Sequence, residues 1–305
     1  MNTLIPLNNQ KTSTLTRSKT VRHKLHCISK AVDYGYKPYI TIDKKNDRIP
    51  KSIFEFTFEH FHKELQMRQK YGYRKDPYNN VYDREELNQI RRMRNNIKKL
   101  TLNDDNIWKR ELAREQIDCP RVMMMFYYVI CWFLDFIFKD KPIDRFWFLE
   151  TIARMPYFSY VAVLHLYETL GWWETGSGLK KAHYEEEANE TYHLRIMESL
   201  GGDSLWWNRF LARHGAVAYY IMLLVLFMLT PKYAYLFSEL LELHAVDTYD
   251  EFCENNKELL SIMSPTIEAI DYLPNAESLY DVFMRISEDE YKHAQAMRIV
   301  RQLPK

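Results

Sequence analysis

Asn189-Glu190-Thr191-Tyr192-His193-Leu194 carries a Glu-x-x-His pair, and Asp289-Glu290-Tyr291-Lys292-His293 carries a second one a hundred residues later. Both lie in stretches that read as helix. Residues three apart on an α-helix share a face and differ by about 4.5 Å of rise. A carboxylate and an imidazole at that spacing can reach one metal centre from one helix. Other helical stretches offer single glutamates, among them Glu150 and Glu242. One Glu from each of two helices and a Glu-x-x-His from each of two more is the ligand pattern of a four-helix bundle that holds two irons. The expected fold is therefore all-α, a ferritin-like four-helix bundle around a diiron site.

A lone Glu-x-x-His is weak, and the chain contains its own decoy. With ten His in 305 residues, Glu59-His60-Phe61-His62 is the chance match that any short motif invites. It sits far upstream among Phe residues and beside Lys63, and reads as one face of an amphipathic surface helix.

Outward from these motifs the chain stays helical. Only eight glycines occur, and no segment alternates like a strand between turn residues. Six helices are expected after residue 118, near 120–139, 143–172, 180–200, 204–229, 232–259 and 277–301. The Gly201-Gly202 pair is a natural stop for the third, and Pro231 bounds the fourth and fifth. Residues 1–50 read as a basic tail and 51–118 as an N-terminal extension with short helices and a turn at Asp76-Pro77. Residues 119–305 form the helical metal-binding domain. The tail's first 32 residues hold six Lys+Arg, five Thr, three Ser and no acid, a composition similar to an organelle transit peptide. Four cysteines, at 27, 119, 131 and 253, form no Cys-x-x-Cys, which argues against a zinc ribbon or a thioredoxin-type site.

Charge is unevenly spread. Residues 1–118 carry 25 Lys+Arg against 15 Asp+Glu, and the remainder carries 17 against 26, so the formal net charge of +1 hides a basic third and an acidic body. Basic patches suit anionic lipid headgroups or nucleic acid, and a solvated helix face reads the same way; nucleic acid is not an expected partner. Val122–Leu134 and Gly215–Pro231 are uncharged and apolar. A spanning helix needs roughly 20 apolar residues and at least about 17. Only the second run reaches that limit. Arg209, Arg213, Tyr219, Tyr220, Tyr233 and Tyr235 around it favour an interfacial position. The expectation is a monotopic platform of two apolar helices lying in one leaflet.

Six segments, in order, resemble the alternative oxidase family in its plastid terminal oxidase branch. They are Phe148-Leu149-Glu150-Thr151-Ile152-Ala153-Arg154-Met155-Pro156-Tyr157-Phe158, Leu166-Tyr167-Glu168-Thr169-Leu170-Gly171-Trp172-Trp173, Asn189 to Leu194, Ile196-Met197-Glu198-Ser199-Leu200-Gly201-Gly202, Glu242-Leu243-His244-Ala245-Val246-Asp247-Thr248-Tyr249, and Asp289 to His293. The resemblance runs from about Cys119 to Arg298. Helix geometry alone does not choose between Glu150 and Glu168, which share a face about 27 Å apart. The resemblance places the ligand on Glu150.

That resemblance implies two Fe ions per chain. Glu190 and Glu290 bridge them, Glu150 and Glu242 are terminal, and His193 and His293 each take one iron. Tyr249 aligns with a tyrosine beside the metals that can give a proton and an electron. Asn189 and Asp289 would orient ligands, while Arg145 and Thr248 would line a quinol pocket. Arg145 is expected to pair with Asp289 or to bind a quinol oxygen, and His244 to be a satisfied buried histidine. The implied reaction oxidises plastoquinol or a related quinol and reduces O2 to water without pumping protons. A homodimer on a thylakoid or other plastid or cyanobacterial membrane goes with it. Two other readings stand beside it: a different diiron carboxylate enzyme such as a quinone-ring hydroxylase, and a metal-free, membrane-associated helical interaction protein. The sequence departs from the plastid pattern in the short link from Ser264 to Ser278 and in Thr191-Tyr192.

Overall fold

A computed structural model describes residues 51–70, 84–173 and 178–303. Within these, every regular element is a helix. They are α1 (Ile53–Lys70), α2 (Arg84–Ile97), α3 (Asp104–Ala113), α4 (Arg121–Ile137), α5 (Pro142–Thr169), α6 (Gly178–Ser199), α7 (Trp206–Leu229), α8 (Pro231–Asn255), α9 (Lys257–Ser261), α10 (Ile267–Tyr272) and α11 (Leu279–Gln302). The turn expected at Asp76-Pro77 and the tail lie outside the described residues.

The bundle is α5, α6, α8 and α11. Tyr160 on α5 meets Ser238 and Ala234 on α8, while Glu150 meets Tyr249, so these two helices run antiparallel. Glu239 of α8 binds Arg298 and Arg301 of α11, and Asp250 accepts from Ser287, which fixes a second antiparallel pair. Phe146, Phe252 and Phe283 pack edge-on and tilted between the helices, with centroids 4.8–5.9 Å apart.

Local chemistry sets the helix ends. Pro142 and Pro231 sit in the first turns of α5 and α8, where a missing N–H costs nothing. Ser278 and Asp281 form a reciprocal capping box at the start of α11. Gly201, at φ +92°, ends α6, and the next amide donates to Met197 O at 3.0 Å. Gly202 must stay bare, because a Cβ there would lie 2.4 Å from Trp147 Cβ and 2.7 Å from the Ile143 carbonyl oxygen. The helix expected over 232–259 breaks at Asn256, and the reason is tertiary. The Asn256 side chain accepts from Thr101 N at 2.9 Å and donates to Thr101 O at 2.7 Å. It thereby pins the strap before α3 to the end of α8. Residues 97–114, read from the sequence as extension, are held to α8 by this clasp and by Arg114–Asp247 at 3.2 Å.

Two helices turn apolar residues outward. On α4, Val122, Met125, Phe126, Val129, Trp132 and Phe136 are exposed at helical spacing, while Tyr127, Cys131 and Leu134 face the core. On α7, Val217, Ile221, Val225, Met228 and Leu229 are exposed. Among the described residues α7 alone is long and apolar enough to cross a membrane, by length and composition. It runs parallel to α5 throughout: Asn208 donates to Asp144 O at 3.0 Å, and Ser159 and Tyr167 of α5 donate to Tyr220 O and Met228 O at 3.3 and 3.4 Å. In α1, Glu59 pairs with Lys51 and is partly exposed, while His60 and His62 are exposed, as the surface-helix reading of the decoy expects.

Candidate metal centre

The four bundle helices bring all six expected ligands together. Glu150, Glu190, His193 and Glu290 form one buried group, and Glu190, Glu242, Glu290 and His293 form another. Within each group the ligand atoms lie within 4.8 Å of one another. Glu190 and Glu290 belong to both groups, so the pattern is two adjoining centres that share two carboxylates. Across the bundle, His193 Nδ1 lies 3.0 Å from Glu290 Oε1 and 3.6 Å from Glu150 Oε2, and His293 Nδ1 lies 2.7 Å from Glu190 Oε1.

These residues fit a pair of cations. Glu150 Oε2, both Glu190 oxygens, Glu290 Oε1 and the Nδ1 atoms of His193 and His293 are buried and make no hydrogen bond among the described residues. Such groups are costly to bury unless something binds them. Electrostatics agree. Burial, with Glu190 and Glu290 nearby, pushes the Glu150 carboxyl well above the ordinary range; burial, Glu290 and Glu190 do the same to Glu242. For Glu190 burial acts upward too, but His193 and His293 outweigh it and hold the carboxyl low. Four carboxylates against two imidazoles leave excess negative charge, which an oxygen-preferring cation pair would neutralise.

The tautomer of His193 is also set for ligation. Tyr272 donates to Asp289 Oδ2 at 2.6 Å, so its oxygen is free to accept from His193 Nε2 at 3.4 Å. That puts the proton on Nε2 and turns the Nδ1 lone pair toward the carboxylates. Lys292 donates to Asp289 at 2.8 Å, Arg285 lies 3.1 Å away, and Asn189 Nδ2 donates at 3.3 Å. Asn189 and Asp289 thus stand directly behind the ligands.

Arg145 does not pair with Asp289. It is buried in ion pairs with Asp104 at 2.8 Å and Asp135 at 2.9 Å, on the α3–α4 side, while Asp289 faces α6 and α10. Its other guanidinium nitrogen lies 3.5 Å from His244 Nε2. His244 is satisfied and buried, as expected, with Nδ1 2.9 Å from Glu111 Oε2. Glu168 is bound by Lys180 at the surface and stays away from the cluster. Glu186, within the acidic run Glu185-Glu186-Glu187, is buried against His183 at 2.8 Å.

A cavity of about 260 Å³ ends on this cluster. Glu150, Glu242, Glu290 and Tyr249 form its floor; Thr248 and His244 add polar lining; Ile130, Phe133, Leu134 of α4 and Tyr219 of α7 form its walls. It therefore leads from between the two outward-facing apolar helices to the ligands. The Tyr249 hydroxyl donates to Glu150 Oε1, and its ring stacks on Phe146 at 4.2 Å.

Two tyrosines at the site escaped the sequence reading. Tyr157 donates to Glu242 Oε1 at 2.9 Å. It lies seven residues after Glu150, two turns along the same face, so its spacing offered a signal. Tyr272 comes from the short α10 outside the bundle, and no spacing announces it.

The chain matches the Alternative oxidase family over residues 96–301, beginning upstream of the resemblance read from Cys119. It is 43% identical over 191 residues to ubiquinol oxidase 4, chloroplastic/chromoplastic, of Arabidopsis thaliana, covering 56% of this chain and 54% of that protein. It is 32% identical over 163 residues to the mitochondrial ubiquinol oxidase of Mangifera indica, covering 52% and 50%. Against the mitochondrial alternative oxidase 3 of Glycine max it is 33% identical over 163 residues, covering 52% and 49%. The chain spans about half the length of these relatives. With the family match covering well over half of its residues and the expected ligands gathered in one buried cluster, the chain belongs to the alternative oxidase family.

Proposed function

We propose that this chain is a membrane-associated diiron oxidase that takes electrons from a quinol and reduces dioxygen to water. The observation that carries this reading is the cluster of unsatisfied carboxylate and imidazole atoms at the floor of an apolar cavity. Glu150, Glu190, His193, Glu242, Glu290 and His293 would hold the two metals, with Glu190 and Glu290 placed to serve both because they stand in both groups. Two irons held there supply the electron-accepting and dioxygen-reducing chemistry.

The protein's own groups do the rest. The cavity takes the quinol ring, and its volume is close to the roughly 300 Å³ lower bound of ordinary ligand pockets. Thr248 and His244 give the ring polar partners, and Arg145 acts from behind His244. Tyr249 keeps its proton, because burial and the neighbouring Glu150 push its pKa well up. It can deliver that proton and an electron beside the ligands. Asp289, through Tyr272, and Asn189 hold the ligand face of α6 and α11 in register.

Membrane attachment follows from the exposed stripes of α4 and α7. The support for interfacial rather than spanning attachment is the packing of α7 along α5. Crossing would carry α5 and its neighbour α6, with exposed Lys181 and Glu185, into the hydrocarbon. A quinol dissolved in the leaflet then reaches the cavity between α4 and α7. The likeness to a chloroplastic relative supports a plastid membrane; plastoquinol as the quinol and a homodimer rest on the family resemblance alone. Oxygen uptake by the iron-loaded protein with defined quinols is the test. The reading expects two quinols consumed per dioxygen, the ratio that four-electron reduction to water requires. Protein that binds no iron, or bound iron without quinol-dependent uptake, would defeat it.

A further inference from the structure

A second buried polar cluster lies behind Glu242 and His293. His183 of α6 is 1% exposed. Its Nδ1 lies 2.8 Å from Glu186 Oε2, and its Nε2 lies 3.0 Å from the Tyr235 hydroxyl. The carboxylate can only accept, so a ring proton sits on Nδ1, and in the neutral ring Nε2 holds the lone pair. The Tyr235 phenol is then the donor to Nε2. Three side chains from α6 and α8 thus form a carboxylate–imidazole–phenol row with every bond satisfied, in a place where none of them touches the metal ligands.

Tyr157 spans the gap between that row and the ligands. Its hydroxyl donates to Glu242 Oε1, its ring meets the His293 ring edge-on at 5.7 Å, and it lies 6.1 Å from the His183 ring. Tyr160 packs 5.3 Å from His183 and 4.7 Å from Tyr235. Contiguous aromatic rings therefore run from the metal centre to Tyr235. On packing grounds alone, phenylalanine would fill these positions. Phenols with placed partners are a different choice. A buried phenol that loses an electron becomes a strong acid, and the charge is costly unless its proton has somewhere to go. At Tyr235 it has His183 Nε2, 3.0 Å away, and Glu186 to balance the resulting imidazolium.

We propose that Tyr235, with His183 and Glu186, is a one-electron reserve for the metal centre; this rests on the oxidase reading above. In the step, one electron leaves Tyr235, crosses Tyr157 and reduces the oxidised metal centre by one equivalent. The Tyr235 O–H bond breaks and an N–H bond forms at His183 Nε2, leaving a neutral tyrosyl radical and an imidazolium beside Glu186. A later quinol loses two electrons and two protons. It returns one electron to the radical and passes the other to the metal centre, its protons going toward the water formed. The His183 proton goes back from Nε2 to the phenol oxygen. The reserve has a use because dioxygen needs four electrons and each quinol gives two. It is separate from Tyr249, which serves Glu150 on the other side of the cluster.

The test is magnetic resonance on iron-loaded, reduced protein, freeze-quenched after mixing with dioxygen without excess quinol. The expected result is a tyrosyl signal that narrows with ring-deuterated tyrosine. One component should couple to an exchangeable proton and to an imidazole nitrogen. Tyr235→Phe should remove that component at unchanged iron content, and His183→Gln should remove its nitrogen coupling. A quinol pulse should erase it in the wild type. Persistence of the component in Tyr235→Phe overturns the proposal, as does oxygen uptake by the wild type with no such component. Wild type that binds no iron or consumes no oxygen would instead overturn the oxidase reading, and the reserve with it.

Discussion

His293 Nδ1 on α11 stands 2.7 Å from Glu190 Oε1 on α6. Each Glu-x-x-His helix thus presents its imidazole to the other's carboxylate, and His193 returns the contact to Glu290 at 3.0 Å. The two motifs are one unit. Glu190→Ala or His293→Ala is expected to lower bound iron from about two per chain and to abolish oxygen uptake. Glu59→Ala, in the exposed decoy, should leave iron unchanged. Metal analysis of the purified variants decides the matter, and full loading in either ligand variant would remove these residues from the site.

Tyr249→Phe should keep the iron and stop most turnover. Only the hydroxyl leaves, while the ring still stacks on Phe146 at 4.2 Å. Oxygen uptake compared at equal iron loading is the measurement. Wild-type turnover would reduce Tyr249 to a packed aromatic that hydrogen-bonds Glu150.

The Glu111–His244 pair predicts a pH-dependent stability difference. Burial favours the neutral form of both groups, but the pairing outweighs it. His244, with Cys131 and Glu111 against it, is raised from 6.5 to about 9, and Glu111 is held below 4.5 by His244 and Tyr127. The raised histidine contributes fully below its unfolded pKa, and that contribution is lost as pH rises through about 9. The depressed carboxylate contributes above its unfolded pKa and loses the contribution as pH falls. Glu111→Gln should therefore cost on the order of 3 kcal/mol near pH 6, with the difference shrinking toward pH 9.5. Urea unfolding of both proteins at the two pH values is the check; an equal difference at both would mean that the pair is not charged.

Gly202→Ala should destabilise the fold by about 2 kcal/mol or more. Its Cβ would meet Trp147 Cβ and the Ile143 carbonyl, neither of which is the free end of a flexible chain. Denaturant midpoints give the comparison. A neutral substitution would show that α5 and the turn after α6 can separate without cost.

Interfacial attachment predicts that single cysteines at Arg213 and Lys232 label from the same side of sealed vesicles. Both positions are exposed, and they flank the exposed apolar run of α7. The native cysteines, Cys27 and the partly exposed Cys119 among them, have to be replaced first. Labels from opposite sides would mean that α7 crosses.

The two Glu-x-x-His pairs of the cluster were legible in the sequence because helix geometry is local, whereas Glu150 was singled out over Glu168 only by the family resemblance. Glu190 with His193, and Glu290 with His293, need only the three-residue spacing to share a face, and Gly201, Pro231 and Ser278 mark helix ends through their own backbone chemistry. The apolar stripes of α4 and α7 were legible for the same reason. What the sequence left open depends on which helices meet. Arg145 binds Asp104 and Asp135 rather than Asp289, Tyr272 reaches His193 from outside the bundle, and Glu111 closes on His244 across 133 positions. The break at Asn256 arises from its clasp on Thr101, and Glu186 is buried because α6 turns it toward His183 and Tyr235. Periodicity tells which side chains share a face. Only the packing of one helix on another decides what that face meets, because those partners lie far apart along the chain and no local spacing encodes them.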